Sequence, residues 1–132
     1  MENVNTIGFV IKSFDFQETS KIIKVYTADK GLVSLIAKGA RRPKNKFRGQ
    51  IEMFTKMSLT YQEKDTRDIQ VLTEAELLDF FGNIYMNEVK MGFLLRVMKL
   101  LNHVLMESKV VAGLFHLIEE NMINLNKRNV NE

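Results

Sequence analysis

The spacing of apolar residues changes once along this 132-residue chain, near Leu78, and that change limits what the chain can fold into. Before it, short runs alternate in polarity or are rich in β-branched and aromatic residues, as strands are. After it, apolar residues recur every three or four positions, as they do on helices. Strands followed by helices, with little interleaving, predict an α+β fold and argue against a repeated βαβ layout.

The first half reads as five strands. Residues 7–16 and 20–27, separated by the polar Gln17-Glu18-Thr19, are the first two. Asp29-Lys30-Gly31 is a tight-turn signal, because glycine tolerates positive φ, and residues 32–38 follow as the third. Residues 51–61 alternate, with Ile51, Met53, Met57, Leu59 and Tyr61 on one face and Glu52, Phe54, Lys56, Ser58 and Thr60 on the other. That pattern predicts a half-buried fourth strand, and residues 69–73 follow a charged turn as the fifth. Five short strands in so little chain predict a five-stranded OB-fold β-barrel over residues 1–80, a nucleic-acid-binding domain, with residues 81–132 as a helical region.

In that region Leu94, Val97, Met98, Leu101, Val104 and Leu105 form one stripe, with Asn83 as the expected start cap. Ser108 is expected to cap a second helix over residues 109–125, which turns Val111, Leu114, Phe115, Ile118, Met122 and Leu125 inward. Two broad stripes on one small barrel predict uncovered apolar surface, and self-association through the helices.

Charge is distributed unevenly. The net charge is +3, yet no acidic residue lies between Asp29 and Glu52, where Lys30, Lys38, Arg41, Arg42, Lys44, Lys46 and Arg48 fall; outside that window acidic residues outnumber basic ones. Glycines at both ends of the segment 38–49, and the only proline, Pro43, inside it, predict a loop between the third and fourth strands. Guanidinium and ammonium groups on such a loop neutralise phosphates and release counterions. Lys38, Arg41, Arg42, Lys44, Lys46 and Arg48 are the candidate nucleic-acid contacts, with Phe47 as a ring for stacking on an unpaired base. Phe54, on the polar face of its strand, is read either as a second stacking platform or as a residue beneath the helices. Phe14, Phe16 and Tyr26 stand where a core or a binding face could use them.

The chain has no cysteine, which excludes disulfides, thiolate nucleophiles and cysteine-ligated zinc, and implies a reducing, cytoplasmic setting. Residues 1–5 lack the features of a secretory signal, and Arg96, Lys99, Asn102 and His103 interrupt the most apolar stretch before it could span a bilayer. His103 and His116 stand among apolar neighbours without metal-ligand spacing, and the cluster of Glu74, Glu76 and Asp79 fits a strand-to-helix junction. No Gly-Lys-Ser/Thr follows the glycines of the loop as a phosphate loop requires. Neither cofactor nor metal is expected, and no enzymatic activity.

The sequence resembles the bacterial RecO recombination mediators, a family of DNA repair proteins. Gly8, Val10, Ile11, Phe16, Glu18, Ser20, Lys21 and Ile22 match the opening pattern. Gly31-Leu32, the run Ala37-Lys38-Gly39-Ala40-Arg41-Arg42-Pro43 with Phe47, and then Phe54, Leu72 and Glu74 continue it, the run 37–43 being the most specific element. The resemblance covers residues 4–80 well and the helices more loosely. It implies an OB-fold that binds single- and double-stranded DNA and anneals complementary strands at the nucleoid. It also implies work with RecR to load RecA onto strands coated by single-stranded DNA-binding protein. Family members commonly continue into further helices and often a cysteine zinc site, which this sequence lacks; a fragment and a naturally short relative both fit. A protein-interaction adaptor and an RNA-binding OB module are the alternative readings.

Overall fold

The computed structural model describes residues 2–47, 50–105 and 110–127. It contains strands β1 (Glu2–Phe16), β2 (Ser20–Thr27), β3 (Gly31–Ala37), β4 (Lys56–Glu63) and β5 (Ile69–Asp79), then helices α1 (Gly82–Tyr85), α2 (Glu88–Val104) and α3 (Leu114–Lys127). The strands close into a barrel in the order β1-β2-β3-β5-β4, with β3 and β5 parallel and every other pair antiparallel. A closed five-stranded barrel of this order is the expected OB-type architecture, and closure removes the unpaired edges of an open sheet.

β1 serves both sides of the barrel. Its first half pairs with β4, from Glu2↔Glu63 to Phe9↔Lys56, and its second half with β2, from Gly8↔Thr27 to Phe16↔Ser20, with a bulge between Val10 and Lys12. Gly8 pairs with both Thr27 and Met57 at the changeover. A Cβ there would stand 2.4 Å from Cγ1 of Val25 and 2.9 Å from the Tyr26 carbonyl oxygen, so only glycine fits this crossing.

Two cores result. Val10, Ile23, Val25, Leu35, Met57, Leu59, Tyr61 and Leu72 fill the barrel. Phe9, Ile11, Tyr26 and Leu32 emerge from its outer face and meet Phe81, Ile84, Leu94, Met98, Ile118 and Met122 of the helical region. Phe9 packs against Phe115 and Phe81, at ring-centroid distances of 5.2 and 6.2 Å. The helices are also tied down by polar contacts. Asn102 Nδ2 donates to the Ile11 carbonyl at 3.0 Å, and Lys56 pairs with Glu119 at 2.8 Å. Between α2 and α3 an apolar groove of about 350 Å³ stays open, lined by Phe93, Val97, Leu101, Leu117 and Leu125 among others.

The structure corrects several expectations about elements. β1 begins at Glu2, ahead of the expected residue 7, and β5 runs on to Asp79, past the expected residue 73, because both strands also pair with β4. The fourth strand starts at Lys56, five residues later than the alternation implied, because Phe54 adopts a left-handed conformation (φ 68°) and the Thr55 hydroxyl donates to the Glu52 carbonyl at 2.6 Å. Phe54 is buried with the helix-facing core, beneath the helices and unavailable for stacking. Asn83 is not the cap of the long helix. Asn87 is, its side chain accepting from the amides of Val89 and Lys90, while Asn83 ties α1 to Asn126 near the end of α3. The third helix begins at Leu114, later than the spacing implied; the expected cap Ser108 and the expected start Lys109 lie outside the described residues.

Candidate nucleic-acid interface

The connection between β3 and β4 carries most of the candidate contacts, and local bonds hold its described residues up to Phe47. The Asn45 side chain donates to the Arg42 carbonyl at 2.7 Å and accepts from the Phe47 amide at 2.9 Å, an Asx-type arrangement that turns the chain back toward the barrel. Phe47 then enters the barrel interior, only 2% exposed, together with Ile51. The expectation that its ring stacks on a base is therefore wrong. The long connection must cover one end of the barrel, and a phenylalanine removes a large apolar area from water by filling it. Lys46 places its ammonium 5.2 Å from the centre of that ring.

The basic residues of the loop divide by role. Lys38 and Arg42 are exposed and line a concavity of about 340 Å³ with Gln17, Thr19, Ser20, Ile36 and Gly39. Lys44 is exposed at the loop's outer turn. Lys46 lines a different concavity, on the face carrying Glu74 and Glu76, where acidic neighbours oppose a polyanion. Arg41 is occupied: its guanidinium donates to the carbonyls of Gln17 and Glu18 at 2.9 and 3.2 Å and lies 3.5 Å from Asp15, while its amide donates to the Thr19 carbonyl. Arg48 lies outside the described residues.

A second set of residues adjoins the Lys38–Arg42 concavity. The outer face of β1, β2 and β3 is half roofed by the helices, over Tyr26 and Leu32; the other half lies clear of them, with Ile22 and Ser34 buried and Lys12, Phe14 and Ile69 exposed. Across that half the register sets a row Phe14, Ile22, Ile36 and Val71 on four neighbouring strands, and beside it a row Lys12, Lys24, Ser34 and Ile69. The barrel interior takes the intervening Ile23 and Leu35, so both rows lie on the outer side. Phe14 is 39% exposed, and the Lys12 ammonium stands 5.6 Å from its ring centre. The period-2 pattern alone left Phe14 unassigned, because it takes the position of the helices to say which outer rows are covered.

The opposite end of the barrel is acidic in character. Asp29, Glu63 and Asp68 share a concavity with Tyr61, Lys30 and Arg67. There burial, aided by the charges of Glu63 and Asp29, pushes the Tyr61 phenol from 10.0 up to about 12. Among the described residues no group of three or more histidines and carboxylates could hold a metal ion, and no helix is long and apolar enough to cross a membrane. His103 and His116 are exposed.

The order of the closed barrel defines an OB-type fold, and a basic concavity lies at the end of its outer sheet face. Residues 1–81 match the family described as recombination protein O N terminal, and the chain belongs to this RecO family. It is similar to the DNA repair protein RecO of Salinibacter ruber, 28% identical over 93% of this chain and 47% of that protein. The DNA repair protein RecO of Syntrophomonas wolfei is 27% identical over 94% of this chain and 49% of its own length. That of Burkholderia pseudomallei is 36% identical over 67% of this chain and 35% of its own. The chain thus spans half or less of the length of these relatives.

Proposed function

We propose that the barrel, residues 1–80, is a DNA-binding domain and that the chain acts in recombinational repair as a non-catalytic mediator. In this reading it binds single- and double-stranded DNA, anneals complementary strands and helps RecR load RecA at the nucleoid. Single-stranded DNA-binding protein is a further partner, and residues 81–132 are a helical region that buttresses the barrel and supports self-association. The observation that carries the reading is the placement of Lys38 and Arg42, both exposed, on one concavity at the end of the sheet face that the helices leave clear, in a chain of the RecO family. Two exposed cations at the edge of a sheet can each release counterions from a phosphate backbone, whereas the acidic face around Glu74 and Glu76 would repel it.

The test is charge reversal at Lys38 and Arg42 together, compared with reversal at Lys64 and Lys99, which are exposed elsewhere. The first pair should remove most affinity for single-stranded DNA and lower the slope of log K against log salt by about 1.4, roughly 0.7 for each phosphate no longer neutralised. The second pair should do far less. Equal effects from both pairs would leave only diffuse electrostatics. Tighter binding of the native chain to RNA of the same sequence would favour the RNA-binding reading, and binding to no nucleic acid at low salt would favour the adaptor.

A further inference from the structure

We propose that Phe14 is a stacking platform for one unpaired base, which makes the sheet face that the helices leave clear a single-strand subsite. The inference rests on the DNA-binding reading above and specifies which form of DNA that face accepts. Five aromatic rings stand on the barrel strands, Phe9, Phe14, Phe16, Tyr26 and Tyr61; Phe9, Tyr26 and Tyr61 are buried, Phe16 is half-buried, and Phe14 alone is exposed. It lies directly opposite Ile22, which in turn lies opposite Ile36, so the ring shares an outer row with two apolar side chains and is itself 39% exposed. A leucine would cover that row equally well. What phenylalanine adds is a flat π-face, and every base has a matching one.

The charges around the ring suit the same ligand. Lys12 stands on the same outer side, two residues along β1, with its ammonium over the ring at 5.6 Å from the centre, and its flexible stem can swing from the π-face to the phosphate of a base that stacks there. The nearest carboxylate along the strand, Asp15, is engaged by Arg41. Beyond Phe14, toward the end of the barrel, lie Thr19, Ser20, Lys38 and Arg42 on the concavity described above, so a strand crossing the face meets the ring and the loop cations in succession. Duplex DNA cannot use the ring, because its bases are already stacked on each other and would have to unpair to reach it.

The experiment compares Phe14→Leu and Phe14→Tyr with the native chain, each checked for an unchanged melting curve, on a single strand and on a duplex of the same sequence. Phe14→Leu should weaken single-strand binding about tenfold or more, in line with the removal of one base-stacking interaction, and leave duplex binding within twofold. Phe14→Tyr should retain native single-strand affinity. A strand carrying 2-aminopurine should show fluorescence quenching on binding that Phe14→Leu abolishes. Equal weakening on both substrates, or none on either, would overturn the stacking subsite while leaving DNA binding in place. Failure of the native chain to bind either substrate would overturn the DNA-binding reading itself, and the subsite with it.

Discussion

The guanidinium of Arg41 donates to the main-chain oxygen of Gln17 at 2.9 Å, joining the β3–β4 loop to the β1–β2 turn. The same side chain reaches the Glu18 carbonyl and Asp15, and its own amide bonds Thr19, so one residue fixes the turn that walls the Lys38–Arg42 concavity. Arg41→Gln should therefore loosen that turn by about 1–2 kcal/mol, the net worth of one or two hydrogen bonds. It should speed amide exchange around Thr19 and weaken DNA binding with little change in salt slope. A slope reduced as much as by Arg42→Gln would mean that Arg41 meets a phosphate directly.

Phe47 fills the end of the barrel interior, and removing its ring would leave a cavity in that core. Phe47→Ala should cost about 3–5 kcal/mol in urea denaturation, as large-to-small core changes do. Phe47→Leu should cost much less. The folded Leu variant should bind single-stranded DNA as the native chain does, and a large drop in binding at unchanged stability would restore the ring to the interface.

Asn87 caps α2 by accepting from the amides of Val89 and Lys90 at 3.0 and 3.1 Å. Asn87→Ala should destabilise the protein by about 1 kcal/mol, and Asn87→Asp should largely preserve stability, since aspartate caps as well and favours the positive helix end. Thermal melting of the two variants separates the outcomes; equal destabilisation would mean that the cap contributes through its packing alone.

Tyr61 makes folding sensitive to alkali. Its phenol ionises near 10.0 when unfolded and at about 12 when folded, so the folded state holds the proton more tightly. The stability this contributes is complete below pH 10.0 and is lost as pH rises through about 12. Denaturation midpoints should fall across that window in the native chain and fall less in Tyr61→Phe. Parallel curves would show that other groups govern the alkaline transition.

The strands were legible where sequence periodicity and burial coincide. β2, with its alternating Ile23 and Val25, occupies the expected residues, whereas β4 begins late because Phe54 turns left-handed to reach the helix-facing core. The cluster of cations was legible as well, since like charges in sequence remain close in a loop. Their separate roles were not. Whether Arg41 faces solvent or the Gln17 carbonyl depends on a hairpin far away in sequence, whether Phe47 is buried depends on how the loop folds over the barrel end, and whether Phe14 is exposed depends on which outer rows the helices cover. Composition carries neither piece of information.

β1 pairs on both edges, and its first partner in space is among the last strands made, since Glu2 lies against Glu63. During synthesis the hairpins β1–β2 and β2–β3 can zip as soon as they emerge, because their partners are adjacent in sequence. Residues 2–7, which have no partner on β2, must then wait for β4, leaving a stretch of strand unpaired on a nascent chain. The polar Glu2, Asn3 and Asn5 fall on that waiting stretch, all three exposed, and polar side chains on an unpaired strand work against edge-to-edge association.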